Sequence, residues 1–395
     1  MKVRKAKAIA TNTAPTATSP STRERTRRDF LKTAVAAGIG AATATKFKTI
    51  NVVTAQAPIV WKIQSGFATR DELHVSFVDW AKKIDEMTSG RLRVDILPSG
   101  AVTGTFDIID GVNRQVLDGG YAVAAYWFGR NVAFSLFGTG PSFGMDAIDI
   151  LSWYYYGGGF DMYQDLLQNE MRMNIISFLL GPMPTQPLGW FRTPIVNPDQ
   201  LKRTKYRTVG LSAELFGELG ASVVILPGGE IVPALERGVI DAAEFNNPTS
   251  DKALGFADVR KVYMLQSYHQ PVETLEVIIH KSKWDALSKE MQAIVRYASF
   301  AESADFQYKM IDRNSRDLEE FETKRGVRVF TTPKSVLQAQ LRAWDKLIAK
   351  HSRQNPTFAK IVASQKAFAR RVVSWKRRVY VDNQIAFDYY FKGKK

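Results

Sequence analysis

The chain has no cysteine. Disulfides, thiolate-bound zinc, iron–sulfur clusters and thiol nucleophiles are thereby excluded, although the absence suits any compartment. Histidine is almost as scarce. His74, His269, His280 and His351 are the only four, and none stands in an HExxH or comparable ligand spacing. No Walker loop occurs, and no apolar run is long enough to span a bilayer. Acidic groups are outnumbered: 39 Asp and Glu face 54 Lys and Arg, a net charge of +15. The surplus is uneven, because residues 1–55 hold eleven basic and two acidic side chains and leave 43 against 37 for the rest. Much of that remainder lies in the tail, at Arg370, Arg371, Lys376, Arg377, Arg378, Lys392, Lys394 and Lys395. It reads as a solvated helix face. Without interleaved aromatics on a sheet or a recognisable motif, no nucleic-acid partner is expected.

What is present is a globular composition, 45% hydrophobic and 24% charged, over 395 residues, enough for two domains. The front of the chain differs. Thr26-Arg27-Arg28-Asp29-Phe30-Leu31-Lys32 resembles the bacterial twin-arginine export signal, and a modest apolar run from Thr33 to Thr45 follows. Small residues near Ala55 and Ala57 offer cleavage sites. Residues 1–55 are therefore expected to be a signal peptide, with the mature protein in the periplasm.

Beyond it, strands and helices alternate. Trp61–Gln64 reads as a strand, Asp71–Met87 as an amphipathic helix, Arg91–Ile96 as a half-buried strand, Phe106–Leu117 as a helix and Tyr121–Tyr126 as a buried strand. A second set opens near Met173 with the strand Asn174–Leu180. Leu188–Arg192, Tyr206–Val209, Val223–Leu226, Val239–Ala243 and Val272–His280 follow as strands, with a helix at Leu211–Leu219. From Lys289 the pattern becomes helical, broken only at Val327–Phe330. The alternation predicts mainly parallel α/β sheets in two lobes with a hinge cleft and a long helical C-terminal region. The expected division is 58–140 with about 260–300 as one lobe, 141–259 with about 301–350 as the other with its spanning helix, and 351–395 as a helical tail.

Leu226-Pro227-Gly228-Gly229 breaks an apolar strand, a short helix follows, and Gly238 stops it, so Glu244 emerges at the C-terminal end of Val239–Ala243. Open α/β sheets place ligand groups at such ends. Arg207, on a neighbouring strand end, either grips a carboxylate through two parallel hydrogen bonds or simply meets solvent. Gln186 lies in an irregular turn between two apolar strands. The Trp153–Tyr156 cluster reads as helix packing.

These residues, in this order, resemble the periplasmic solute-binding subunits of tripartite ATP-independent (TRAP) transporters, in the branch that binds 2-oxo acids and lactate. The resemblance is carried by Trp61–Ser65, Ser89–Leu92, Pro98–Ala101, Tyr126–Gly129, Phe143–Met145, Tyr155–Gly159, Gly189–Arg192 and the LPGGE…DAAEF block. It implies a non-catalytic receptor whose two lobes close over a small organic carboxylate and deliver it to a small and a large membrane subunit. It further implies that Arg207 pairs with the carboxylate and that a Na⁺ or Ca²⁺ ion bridges ligand and protein. Gln186, Glu244 and the Phe245 carbonyl would hold that ion, with Tyr126 and Trp127 as an aromatic wall. Some relatives dimerise by exchanging a C-terminal helix. Two departures stand out: Pro182 replaces a ligand-touching asparagine, and Phe245 replaces a tryptophan, which predicts a bulkier or less polar ligand than pyruvate. An exported carboxylate-processing enzyme and a ligand sensor without transport are the alternatives.

Overall fold

Local sequence decides where the elements begin. Asp71 accepts a hydrogen bond from the Leu73 N–H and starts the helix Glu72–Met87, whose Leu73, Phe77, Trp80, Ala81 and Ile84 form one buried stripe. The structure is a computed structural model that describes residues 57–392; the expected export segment lies outside them. Among the described residues, the strands in chain order are β1 (Ile59–Ser65), β2 (Leu92–Leu97), β3 (Gly119–Ala122), β4 (Ile175–Met183), β5 (Gly189–Phe191), β6 (Lys205–Arg207), β7 (Ser222–Val224), β8 (Ala242–Ala243), β9 (Val262–Leu265), β10 (Glu273–His280) and β11 (Arg328–Thr331).

They form two sheets, ordered β2-β1-β3-β10-β4 and β11-β9-β5-β8-β6-β7. Both are mixed rather than mainly parallel. β10 runs antiparallel to β3 and β4, and β5 runs antiparallel to β8 and β9, while the other pairs are parallel. These two strands are the points where the chain arrives from the other sheet through a short connection, without the covering helix that a parallel crossover needs.

Other elements depart from the sequence reading. The strand expected to open the second lobe is β4, which pairs with β10 in the first sheet. Eight of its nine residues are buried, so no alternation marks its face or its sheet. The helix expected over Phe106–Leu117 is a 3₁₀ turn at Thr105–Asp107 followed by Ile108–Asn113. Gly119-Gly120, a turn by its composition, is the start of β3, and the chain leaves the sheet at Ala122 for a 3₁₀ turn over Ala124–Trp127.

The helix Lys289–Thr323 is bonded to the helices Glu72–Met87 and Pro248–Leu254. Ser299 Oγ accepts from Trp80 Nε1 at 3.1 Å, whereas Asn314 Oδ1 accepts from the Thr249 N–H at 3.0 Å and Asp317 pairs with Lys252 at 2.7 Å. Next, Lys334–Gln354 lies over the helix Ser212–Glu218 through Lys350 and His351 to Glu214. Pro356–Val379 then returns to the helix Ala147–Tyr156, where Ser364 Oγ accepts from Trp153 Nε1 at 3.0 Å. The last helix, Asn383–Phe391, buries no residue.

Candidate functional site

β6 and β8 lie side by side with Arg207 in register with Ala243, so Arg207 and Glu244 stand at adjacent strand ends. Both are fully buried. Arg207 Nη1 donates to Glu244 Oε1 and to the Glu244 carbonyl, each at 3.0 Å, while Nε and Nη2 donate to the Leu226 carbonyl at 2.9 and 2.8 Å. The guanidinium carbon sits 5.7 Å from the Phe245 ring centre. That ring packs onto Gly228, where a Cβ would come within 2.4 Å of it. The close approach explains one glycine of the Pro227-Gly228-Gly229 turn.

Gln186 reaches the same point from the β4–β5 connection. Its backbone N–H donates to the Gln270 carbonyl at 3.1 Å, tying this connection to the one between β9 and β10. One amide atom of Gln186 lies 2.7 Å from Glu244 Oε2 and 3.1 Å from both the Phe245 carbonyl oxygen and Gln270 Oε1. With nitrogen inward, the amide donates to these three acceptors. With oxygen inward, four oxygens converge, which only a cation reconciles. Amide, carboxylate and carbonyl oxygens are hard donors that suit Na⁺ or Ca²⁺. The residues present therefore fit such an ion. Gln270 was not singled out from the sequence, nor was His269, whose Nδ1 lies 2.6 Å from Ser267 Oγ and whose Nε2 lies 3.8 Å from Glu244 Oε2. The only linear hint was a polar run, Ser267–Gln270, directly before a wholly buried strand.

A cavity of about 20 Å³ is lined by Gln186, Arg207, Phe245 and Tyr126 together with Asn246, Gln270, Glu273, Met183 and apolar neighbours. That is room for about one water, less than either pyruvate or a bulkier acid needs, so the volume does not discriminate between them. Burial pushes the Glu273 carboxyl up to about 7, against the lowering effect of hydrogen bonds from Thr139, the Thr274 N–H and Gln270. Burial likewise raises Tyr126, which stays a neutral phenol. Trp127 does not join the wall. It is fully buried on the far side of its turn, where its indole N–H donates to the Glu276 carboxylate beside Tyr163 and Ser177. Pro182 also lies outside the cavity, in a groove beside Met310 and Ile311.

Residues 65–355 match the model of the bacterial extracellular solute-binding protein family 7. The chain belongs to that family. Among relatives of this solute-binding protein is the monocarboxylate 2-oxoacid-binding periplasmic protein of Nostoc sp., 28% identical over 89% of this chain and 96% of the relative. A TRAP transporter solute-binding protein from Bordetella bronchiseptica, a dimer with copurified calcium and picolinate, superposes with a TM-score of 0.79 at 25% identity, covering 85% of this chain and 98% of that one. One from Pseudoalteromonas atlantica, with bound sodium and pyruvate, gives 0.77 at 27% identity over 84% and 99%. The two-lobed periplasmic binding fold expected from the sequence is the one these structures share.

The solute-binding protein does carry one motif of hydrolases. Gly140-Pro141-Ser142-Phe143-Gly144 has the G-x-S-x-G spacing, and Ser142 adopts a positive φ of 48°. A nucleophile elbow needs a strand before it, a helix after it and a histidine against the hydroxyl. Here the segment follows a 3₁₀ turn, and the Ser142 hydroxyl has no hydrogen-bond partner. The spacing is a turn.

Proposed function

We propose that this chain is the extracytoplasmic receptor of a TRAP transporter and binds a small 2-oxo or 2-hydroxy monocarboxylate together with Na⁺ or Ca²⁺. The observation that carries the reading is a buried arginine lining a small cavity beside oxygens of Glu244, Phe245 and Gln270 that converge on the Gln186 amide. Arg207 would pair with the carboxylate. Gln186, Glu244, the Phe245 carbonyl and Gln270 would hold the cation, whose charge compensates the ligand's oxygens once bound. Tyr126 and Phe245 would close the wall. An anion taken from water into such a site needs both partners, since an unpaired buried charge is costly.

The strand assignments support lobes that divide by sheet, β1–β4 with β10 against β5–β9 with β11. The Asp71 carboxylate, which accepts from Ser250 Oγ at 2.7 Å, joins them at the cleft edge. Delivery to a membrane permease follows from the family. Export by the twin-arginine route rests on the Thr26–Lys32 motif. The exposed Ile385, Phe387 and Phe391 of the last helix support a homodimer formed by exchanging that helix. Light scattering of the intact chain and of a form ending at Val379 checks this.

Titration calorimetry with pyruvate and lactate, with Ca²⁺, with Na⁺ and with neither, tests the central reading. Binding should require a cation. Arg207→Ala should weaken it about 100-fold or more, because the ligand's carboxylate loses its charged partner. Equal binding by the variant, or no carboxylate bound under any condition, would overturn it.

A further inference from the structure

Asn246 follows the two proposed cation ligands of the β8 end directly. It is 1% exposed and lines the cavity, yet neither its Oδ1 nor its Nδ2 has a hydrogen-bond partner. Its backbone N–H, by contrast, is fixed to Asp251 Oδ1 at 3.2 Å. A buried amide with both ends unanswered is costly and uncommon. Around the same cavity the charged side chains are answered: Arg207 by Leu226 and Glu244, Glu273 by Thr139, Gln270 and the Thr274 N–H.

We propose that Asn246 determines specificity by pairing with a polar group on the carbon beyond the 2-position of the ligand. This rests on the carboxylate reading above. Arg207 and the cation answer the carboxylate and the oxygen next to it, which exhausts the oxygens of a simple 2-oxo acid. An amide both donates and accepts, and a hydroxyl is the small group that can meet either end. The ligand class is then a three-carbon 2-oxo or 2-hydroxy acid bearing a further hydroxyl. A site built to bond a hydroxyl rejects the analogue lacking it, because its own polar atoms then stay unpaired.

The test compares hydroxypyruvate with pyruvate by calorimetry at one fixed Ca²⁺ concentration, for the intact receptor and for Asn246→Leu, which keeps the branched shape. The parent should favour hydroxypyruvate about tenfold or more, and the variant should bring the two affinities within about threefold. Ligand-free and calcium-free, Asn246→Leu should melt at or above the parent temperature, since the amide it removes has no protein partner. A parent that does not discriminate, a ratio unchanged in the variant, or a variant loss that extra Ca²⁺ repairs would each overturn the proposal. Binding of both acids without discrimination would leave the carboxylate reading standing, whereas binding of neither would remove both.

Discussion

Asp251 should make the ligand-free receptor less stable as the solution turns alkaline. Burial pushes its carboxyl from 3.8 up to about 7, despite hydrogen bonds from Trp190 Nε1 and the Asn246 N–H that act the other way. The folded chain therefore keeps a proton that the unfolded chain gives up above the ordinary Asp range. The stabilisation is fully present below pH 3.8 and is lost as pH rises through about 7. At about 1.4 kcal/mol per unit the whole effect is on the order of 4 kcal/mol, of which roughly 3 falls between pH 5 and 8. An entropy of unfolding of about 2 cal/mol/K per residue over roughly 340 residues converts this to about 4 °C in Tm. Asp251→Asn removes the titration. Either Trp190 Nε1 or the Asn246 N–H loses its acceptor, but that is a constant offset, not a tilt. Asp71 and Glu273, raised by burial to about 6 and about 7, tilt parent and variant alike. Melts followed by circular dichroism in chelator at pH 5, 6.5 and 8 should thus differ in slope, with the parent losing about 4 °C more than the variant as pH rises. Parallel curves would refute the reasoning.

Two further substitutions probe the surroundings. Trp127→Phe should leave the buried Glu276 one donor short and cost about 1–3 kcal/mol in urea unfolding without moving the carboxylate Kd; a changed Kd would restore Trp127 to the cavity wall. Gly138→Ala would set a Cβ 1.8 Å from Glu273 Oε1, and the displaced carboxyl should cost about 1–3 kcal/mol in the same assay.

The half of the site on β6 and β8 was legible because short-range rules place it. A glycine-broken strand, a helix stopped at Gly238 and a two-residue strand bring Glu244 out beside Arg207, whatever the rest of the chain does. The other half was not. Gln186 and Gln270 come from irregular connections 84 positions apart in sequence, joined by one backbone hydrogen bond, and no local period records such a meeting. Trp127 shows the same limit from the opposite side. Next to Tyr126 in a 3₁₀ turn, it faces away from the cavity, and only the buried acceptor on β10 reveals where its indole must go. β4 was assigned to the wrong set because a strand buried on both faces carries no mark of its sheet, and chain order gave it the neighbours that follow rather than those that precede.

Charge bookkeeping around the cavity explains why a cation should be obligatory. Arg207 and Glu244 cancel, so an incoming carboxylate leaves one negative charge without a partner in a place that water cannot reach. A bound cation removes that deficit. Glu244→Gln removes it differently: the arginine and the ligand now cancel by themselves, and the glutamine still offers an acceptor to Nη1. In sodium-free buffer with chelator at pH 6, where Glu273 is largely neutral, the parent should show no measurable affinity for pyruvate while Glu244→Gln binds it weakly. Added Ca²⁺ should rescue the parent by at least about 100-fold and the variant hardly at all, because a buried unpaired charge costs several kcal/mol and a paired one does not. A variant as cation-dependent as the parent would mean that Glu244 does not set the charge balance of the site, and the cation would then have to be sought among other oxygens.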